Sequence, residues 1–218
     1  MLLIDIEKYR IVDLSAELRP GVRKLNWEYL HGRELRRCEL RQFLYAPDKM
    51  LMHWVDTETH IGTHVEGPTH YRDDLRCLAD IPLDRFMGEA IAIDCSSLKP
   101  DGGKPQPIKP SFLKKVKSGD IVLLWSSLPP NQAPYISTEA AKDMHEKGVK
   151  MVGIHGITLE PEGQYTSHEH LLANDIPIIE GLANVEKLKN ERFLFIGLPL
   201  RWRDMDSSWI RAIALEEL

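Results

Sequence analysis

Apolar positions along this chain gather in short runs that hold β-branched residues and are separated by turn-forming ones. Such runs predict strands: IVDLS from Ile11, LMHWVDT from Leu51, EAIAIDC from Glu89, DIVLLWS from Asp120, KMVGIHG from Lys150, FLFIGLP from Phe193 and WIRAIAL from Trp209. Two stretches switch to a helical pattern. ISTEAAKDMHEKGV offers Ser137 or Thr138 as a cap and Gly148 as a stop before the next strand. TSHEHLLAN sets Thr166 and Glu169 at capping-box spacing ahead of Pro177, which puts His168 in a first helical turn. LKPDGGKPQPIKP, from Leu98, is rich in Pro and Gly and has no period, so it predicts a surface loop before a short helix at Ser111. Sheet dominates the pattern, and no internal repeat is present.

The 218 residues suffice for one substantial core and are few for two, so a single domain over 1–218 is expected. A formal charge of -5 with dispersed basic residues leaves no footprint for nucleic acid or an anionic membrane. The densest basic stretch, Arg33 to Arg41, is diluted by Glu34 and Glu39 and reads as a solvated face. The opening MLLIDIEKYR carries acidic residues within its apolar run, and no later run has the length to span a bilayer. A cytoplasmic protein acting on a small molecule is the expectation. Cys38, Cys77 and Cys95 are odd in number, far apart and without a CxxC pair, so each reads as a small buried hydrophobe. Any metal must then be held by histidine and carboxylate.

HIGTHVEGPTH, residues 60–70, supplies both. His60 and His64 have helical spacing, but Gly62 weakens a helix there and Pro68 breaks its continuation, which excludes a helical HExxH site. On an extended segment His64 and Glu66 project to the same side. A Gly67-Pro68 turn then returns His70 toward them, and His60 arrives from before the Gly62 bend. Imidazole and carboxylate in this combination suit Zn²⁺ or Mn²⁺. A lone histidine is more often a surface or satisfied core residue, but four such groups at this density mark a metal site.

The segment resembles the HxGTHxDxPxH signature of the cyclase family of metal-dependent hydrolases, which includes bacterial kynurenine formamidase and isatin hydrolase. His60, Gly62, Thr63, His64, Pro68 and His70 match, and Glu66 stands where most members have aspartate. VDLS, GDIVLLWS from Gly119, GVKMVGI from Gly148, and LPL followed by IRAIA resemble further family landmarks, so the likeness covers most of the chain from residue 11. The family also carries a histidine followed twelve residues later by a glutamate, a spacing that His168 and Glu180 reproduce. Two departures bear on the substrate. HGITLEPEG puts His155 where many relatives have aspartate, and Pro20 to Lys49 lacks the Pro- and Trp-rich entrance associated with kynurenine formamidases.

The resemblance implies a mixed α/β, β-rich swivelling β/β/α fold with a central barrel-like sheet and flanking helices. It also implies homodimers or larger homo-oligomers with active sites near interfaces. By the same match His60, His64, Glu66, His70 and Glu180 hold one or two divalent ions, Zn or Mn, with Glu180 bridging. His168 resembles the catalytic histidine, and His70 and Glu180 share in the chemistry. A divalent ion lowers the pKa of bound water from 15.7 to about 7. The expected reaction is therefore attack by metal-bound hydroxide on an amide C-N bond, as in an arylformamidase, or on a cyclic amide or lactone. Protonated His168 would serve the departing atom as general acid/base. A helix start lowers a histidine pKa, so His168 needs a carboxylate partner. Adjacent Glu169 does not face it and reads as a helix cap.

The remaining candidates have plainer readings. His170 diverges from His168 on a helix, His53 is more simply explained by packing than by a place in a pocket, and His31 and His145 face solvent. His155 reads equally as a partner of the site and as a satisfied core residue. Trp27, Trp54, Trp202 and Trp209 could wall an aryl substrate, though core and interface packing is the commoner role. Arg201 and Arg203 would share a strand face, either for a substrate carboxylate or to pair with Asp204 and Asp206. A non-haem Fe(II) oxygenase could use His64, Glu66 and a further histidine as its triad, but it leaves His60 surplus. A non-catalytic metal-binding protein needs no acid at His168. Neither rival accounts for the family likeness.

Overall fold

The computed structural model describes residues 5–19, 21–24, 35–45, 47, 49–161 and 163–218. From the N-terminus, β1 (Tyr9–Asp13) leads to a separate antiparallel sheet of β2 (Gly21–Lys24), β3 (Leu35–Tyr45) and β4 (Met50–Thr57). The chain continues through β5 (His64–Glu66), the short helix α1 (Pro68–Tyr71), β6 (Met87–Asp94), β7 (Pro107–Ile108), β8 (Ile121–Trp125) and β9 (Tyr135–Ile136). Helix α2 (Thr138–Glu146), β10 (Met151–His155), helix α3 (Thr166–Leu172), β11 (Ile178–Glu180), β12 (Arg192–Ile196), β13 (Ser207–Trp209) and β14 (Ile213–Glu217) complete it. Among the described residues nine strands form one sheet in the order β1-β14-β12-β6-β8-β10-β11-β5-β13.

The centre of this sheet, β6-β8-β10-β11, is parallel. A parallel sheet is covered on both faces, which explains why β8 is a continuous apolar run buried from Ile121 to Leu124. On one face Ala140, Ala141 and Met144 of α2 pack with Ile91, Val122, Leu124 and Val152. On the other, Phe86, Phe195, Val65, Leu123 and Ile179 form a second core. The sheet curls into a half-barrel, and Ser15, just past β1, bridges Leu182, just past β11. The expected mixed, β-rich α/β architecture with a barrel-like sheet is thus the observed one.

Several local expectations change. Ser137 caps α2 by accepting from the Ala140 amide, as its sequence predicts. Thr166, by contrast, is the first residue of α3 and not its cap. Glu160 from the preceding loop accepts from the Ser167 amide at 2.9 Å, so the Thr166–Glu169 capping box does not form. WIRAIAL is two strands, because the chain turns a corner there: Trp209 lies opposite His64, whereas Ile213 lies opposite Asp13 and Ile196. The loop from Leu98 contains β7, which pairs with β9. No strand continues over Arg201 and Arg203. Cys38 and Cys95 are buried and Cys77 half-buried, all three free. Among the described residues no helix is long and apolar enough to cross a membrane. Trp27, His31, Arg33 and Glu34 lie outside the described residues, as does Pro20.

Candidate active site

β5 is three residues long and lies between β11 and β13. Strand alternation turns Val65 into the core and sends His64 and Glu66 to the other side, where each is only 2% exposed. The chain reaches β5 through Gly62, at φ 67°, and leaves β11 through Gly181, at φ 66°. A Cβ at Gly181 would stand 2.1 Å from the Gly62 carbonyl oxygen, so only glycine permits this approach. Thr63 Oγ1 donates to the Gly181 carbonyl across it at 2.6 Å. The register that results places Glu180 opposite His64. Gly67 as N-cap and Pro68 in the first turn start α1, which carries His70 back toward Glu66.

Four imidazoles converge on Glu66. His60 Nδ1 is 2.9 Å and His64 Nε2 3.4 Å from Oε1, His70 Nε2 is 3.8 Å from the same oxygen, and His168 Nε2 is 3.5 Å from Oε2. The second nitrogen of each ring meets an acceptor outside the cluster. His64 Nδ1 donates to the Gly62 carbonyl at 3.0 Å, and His168 Nδ1 faces Glu160. His60 Nε2 and His70 Nδ1 share Asp206 Oδ2, at 2.8 and 3.0 Å. The Glu180 carboxylate is 4.0 Å from His64 Nε2.

Charge follows from this geometry. Burial alone would raise the Glu66 carboxyl, but the surrounding imidazoles of His168, His60, His64 and His70 hold it well below its ordinary range. Burial would lower His60 and His168, but their carboxylates outweigh it. Asp206 and Glu66 lift His60 to about 9, and Glu160 and Glu66 lift His168 to about 10. Bonds from His60 and His70 depress Asp206. Burial, with the nearby Glu66 charge, raises Glu180.

Two buried atoms in this cluster have no hydrogen-bond partner: His64 Nε2 and Glu66 Oε2. Since His64 Nδ1 carries its proton to Gly62, the orphaned Nε2 is a lone pair in a dry place, a costly arrangement that a cation relieves. Three overlapping sets, His60/His64/Glu66, Glu66/His70/His168 and His60/His70/Asp206, each hold ligand atoms within 4.8 Å of one another. The donor set of nitrogens and carboxylate oxygens fits a divalent ion of the Zn²⁺ or Mn²⁺ type.

Residues 12–161 match the Cyclase family, described as "Putative cyclase". The chain belongs to the cyclase family. A kynurenine formamidase from Erythrobacter litoralis is 30% identical over 95% of this chain and 94% of its own. The fold is also that of isatin hydrolase A from Labrenzia aggregata, with a TM-score of 0.81 at 19% identity over 97% of this chain and 95% of that one. A protein described as a potential metal-dependent hydrolase with cyclase activity superimposes at 0.74 with 18% identity, over 96% and 99% of the two chains.

In this cyclase-family chain the site opens into a cavity of about 1070 Å³ whose lining includes His168, Glu160, Glu180 and His155. His155 is held there by the Leu182 carbonyl, 2.6 Å from Nδ1, and by Glu186, 3.5 Å from Nε2. Tyr135 supplies the cavity's aromatic surface, and Trp54, Trp202 and Trp209 do not line it. Trp202 instead packs on Trp209, and Trp54 sits exposed on β4 beside Phe43. His53 is exposed on the same strand, and His145 is exposed on α2. Arg203 pairs with Asp80 and not with Asp204 or Asp206. All six site residues expected from the sequence meet here. Sequence reasoning does not single out Glu160 or Asp206: Glu160 sits in the loop eight residues before His168, and Asp206 stands near Arg201 and Arg203, which offer it a plainer pairing.

Proposed function

We propose that this chain is a metal-dependent hydrolase that cleaves an amide C-N bond, with an arylformamide as the first substrate to test and a cyclic amide or lactone as the second class. The observation that carries the reading is the buried, unpartnered His64 Nε2 beside Glu66, with three more imidazoles aimed at the same carboxylate. His60, His64, Glu66, His70 and Glu180 would hold one or two ions. Zn²⁺ or Mn²⁺ bound there supplies a Lewis acid for a carbonyl oxygen and makes water acidic near neutral pH.

The chain's own groups do the rest. Glu160 fixes the Nδ1 proton of His168 and leaves Nε2 facing the site, where it can hand a proton to the departing nitrogen. Glu160 is also the carboxylate partner that a histidine at a helix start requires. His70, the most open of the four imidazoles, stands beside His168 with ring centroids 5.7 Å apart and shares the Glu66 carboxylate with it. Glu180 and His155 face the cavity from different strands and bracket the space for the acyl group and its substituent. A cavity reaching the site favours a catalyst over closed metal storage. The three free cysteines fit a cytoplasmic setting, and the partner is a second copy of the chain in a homodimer or larger homo-oligomer.

The test is hydrolysis of N-formylkynurenine by protein stripped of metal and then given Zn²⁺ or Mn²⁺ separately, with Glu66→Ala and His168→Ala as controls. Turnover that returns with metal and is lost in both variants is the expected result. Metal binding without turnover of this substrate, of isatin-like lactams or of lactones would overturn the hydrolase reading. Oxygen consumption with Fe²⁺ would revive the oxygenase.

A further inference from the structure

Each imidazole in the cluster is held from behind, but the holders differ in kind. His64 uses a carbonyl from its own segment, Gly62, and His168 uses Glu160 from the adjoining loop. His60 and His70 share a single carboxylate oxygen, Asp206 Oδ2, which comes from the far end of the sequence. Asp206 stands at the entrance to β13, whose pairing with β5 sets Ser207 opposite Glu66 and Trp209 opposite His64. Its own carbonyl accepts from the Gly67 amide at 2.8 Å, the residue that starts the helix carrying His70. Its second carboxylate oxygen accepts from Ser207 Oγ at 3.3 Å, and that hydroxyl also meets Thr59 Oγ1, next to His60, at 2.5 Å. Asp206 therefore bonds to both rings and to the start of the helix that carries His70, and reaches Thr59, next to His60, through the Ser207 hydroxyl.

A neutral imidazole has one proton for two nitrogens. The nitrogen that faces an outer carboxylate takes the proton, and the other is left with its lone pair. At His60 the inward nitrogen is Nδ1, whereas at His70 it is Nε2. Two histidines that present opposite nitrogens to one centre must be set individually, and a common oxygen between them does this. We propose that Asp206 is the positioning residue of this metal centre, fixing the ring orientation and tautomer of His60 and His70 together. The assignment rests on the metal-binding reading above and not on the identity of the substrate.

The experiment compares wild-type protein with Asp206→Asn, which keeps the size of the side chain and removes its charge. Zn²⁺ affinity is measured by competition with a chromophoric chelator, bound metal is counted, and the visible spectrum of the Co²⁺-loaded protein is recorded at saturation. The expected result is a loss of about 10- to 100-fold in affinity, an unchanged metal count, a shifted Co²⁺ spectrum, and an apo protein whose circular dichroism is that of wild type. Asp204→Asn, in the preceding turn, should leave all four unchanged. Equal affinities and spectra for Asp206→Asn and wild type would overturn the assignment while leaving a hydrolase intact. Loss of one whole equivalent of metal would overturn it by making Asp206 a ligand. If wild type binds the ions yet hydrolyses no amide or lactone, the hydrolase reading falls and the affinity difference still decides the role of Asp206. If wild type binds none, both fall.

Discussion

His64 is where binding of an ion should register in stability. Its Nδ1 proton is committed to Gly62 and its Nε2 lone pair is buried without a donor, so a cation removes a penalty that the apo fold carries. Zn²⁺ or Mn²⁺ at about a hundredfold excess over its Kd should stabilise the protein by about 2.7 kcal/mol. For a chain of this size that raises Tm by about 5–10 °C. Scanning fluorimetry of chelator-treated protein checks this. His64→Ala should abolish the rise, and a wild-type Tm indifferent to both ions would take the metal out of the account. Burial sets the chemistry of Cys95 too, whose thiol is pushed up to about 12 from 9.0, with a smaller contribution from Asp94. Through that window the unfolded thiol loses its proton while the folded one keeps it, so stability falls as pH rises, by up to about 1.4 kcal/mol per unit. Urea midpoints between pH 9 and 11 should fall less steeply in Cys95→Ala; parallel slopes would contradict the shift. His60, His64, Glu66 and His70 were legible because motif spacing and strand alternation need only neighbours in sequence, and His168 and Glu180 were legible through the family's histidine–glutamate spacing. Glu160 and Asp206 were not, because which carboxylate backs a histidine is decided by folding: Asp206 had Arg201 and Arg203 nearby in sequence, and the fold gave it His60 and His70.

At the scale of elements, the crossing of two glycine turns holds the site together. β11 delivers Glu180 to the face of His64 only because Gly181 can lie against the Gly62 carbonyl. In Gly181→Ala a left-handed backbone and a 2.1 Å overlap with another backbone atom coincide, and neither can be relieved by a rotamer change. The expected cost is about 3 kcal/mol or more. Chemical denaturation measures it, and metal affinity should fall with it as Glu180 leaves its register. An alanine variant with wild-type stability and affinity would mean that the crossing does not position Glu180. The strands that could be read from sequence are those whose burial writes a pattern: β8 from Ile121 to Leu124 and β10 from Met151 to Ile154 are continuous apolar runs because both faces of the sheet are covered. β5 and β11, three residues each, are too short to carry a period and depend on their neighbours. The corner between β13 and β14 was invisible because an apolar run does not record that its partner changes from β5 to β1 and β12.

For the molecule as a whole, the hairpin of β3 and β4 stands outside the main sheet and is apolar on both sides. Its register puts Leu40 and Leu44 with Val55 and Leu51 on one face, and Phe43 with Met52 and Trp54 on the other. Leu51 and Trp54 are each 66% exposed. LMHWVDT was recognisable as a strand, but its exposure was not, because a strand that packs on a core and one that packs on another chain have the same composition. Exposed apolar side chains on both faces of a strand pair suit a contact with another copy of the chain, in keeping with the homo-oligomer proposed above. Wild type is therefore expected to elute as a dimer or larger assembly. The Leu51→Asp/Trp54→Asp double variant, altered once on each face, should elute as a monomer with unchanged circular dichroism. Multi-angle light scattering decides it, and a monomeric wild type at tens of micromolar would end the proposal. The base of the hairpin is tied to the site as well: only Glu58 and Thr59 separate β4 from His60, the Glu58 carbonyl accepts from Trp209 Nε1 at 3.2 Å, and Thr59 is bonded to Ser207. An arm that loses its partner is thus free to pull on His60. The monomeric variant should lose metal affinity along with mass, and a monomer that binds metal as tightly as wild type would show that assembly and site are independent.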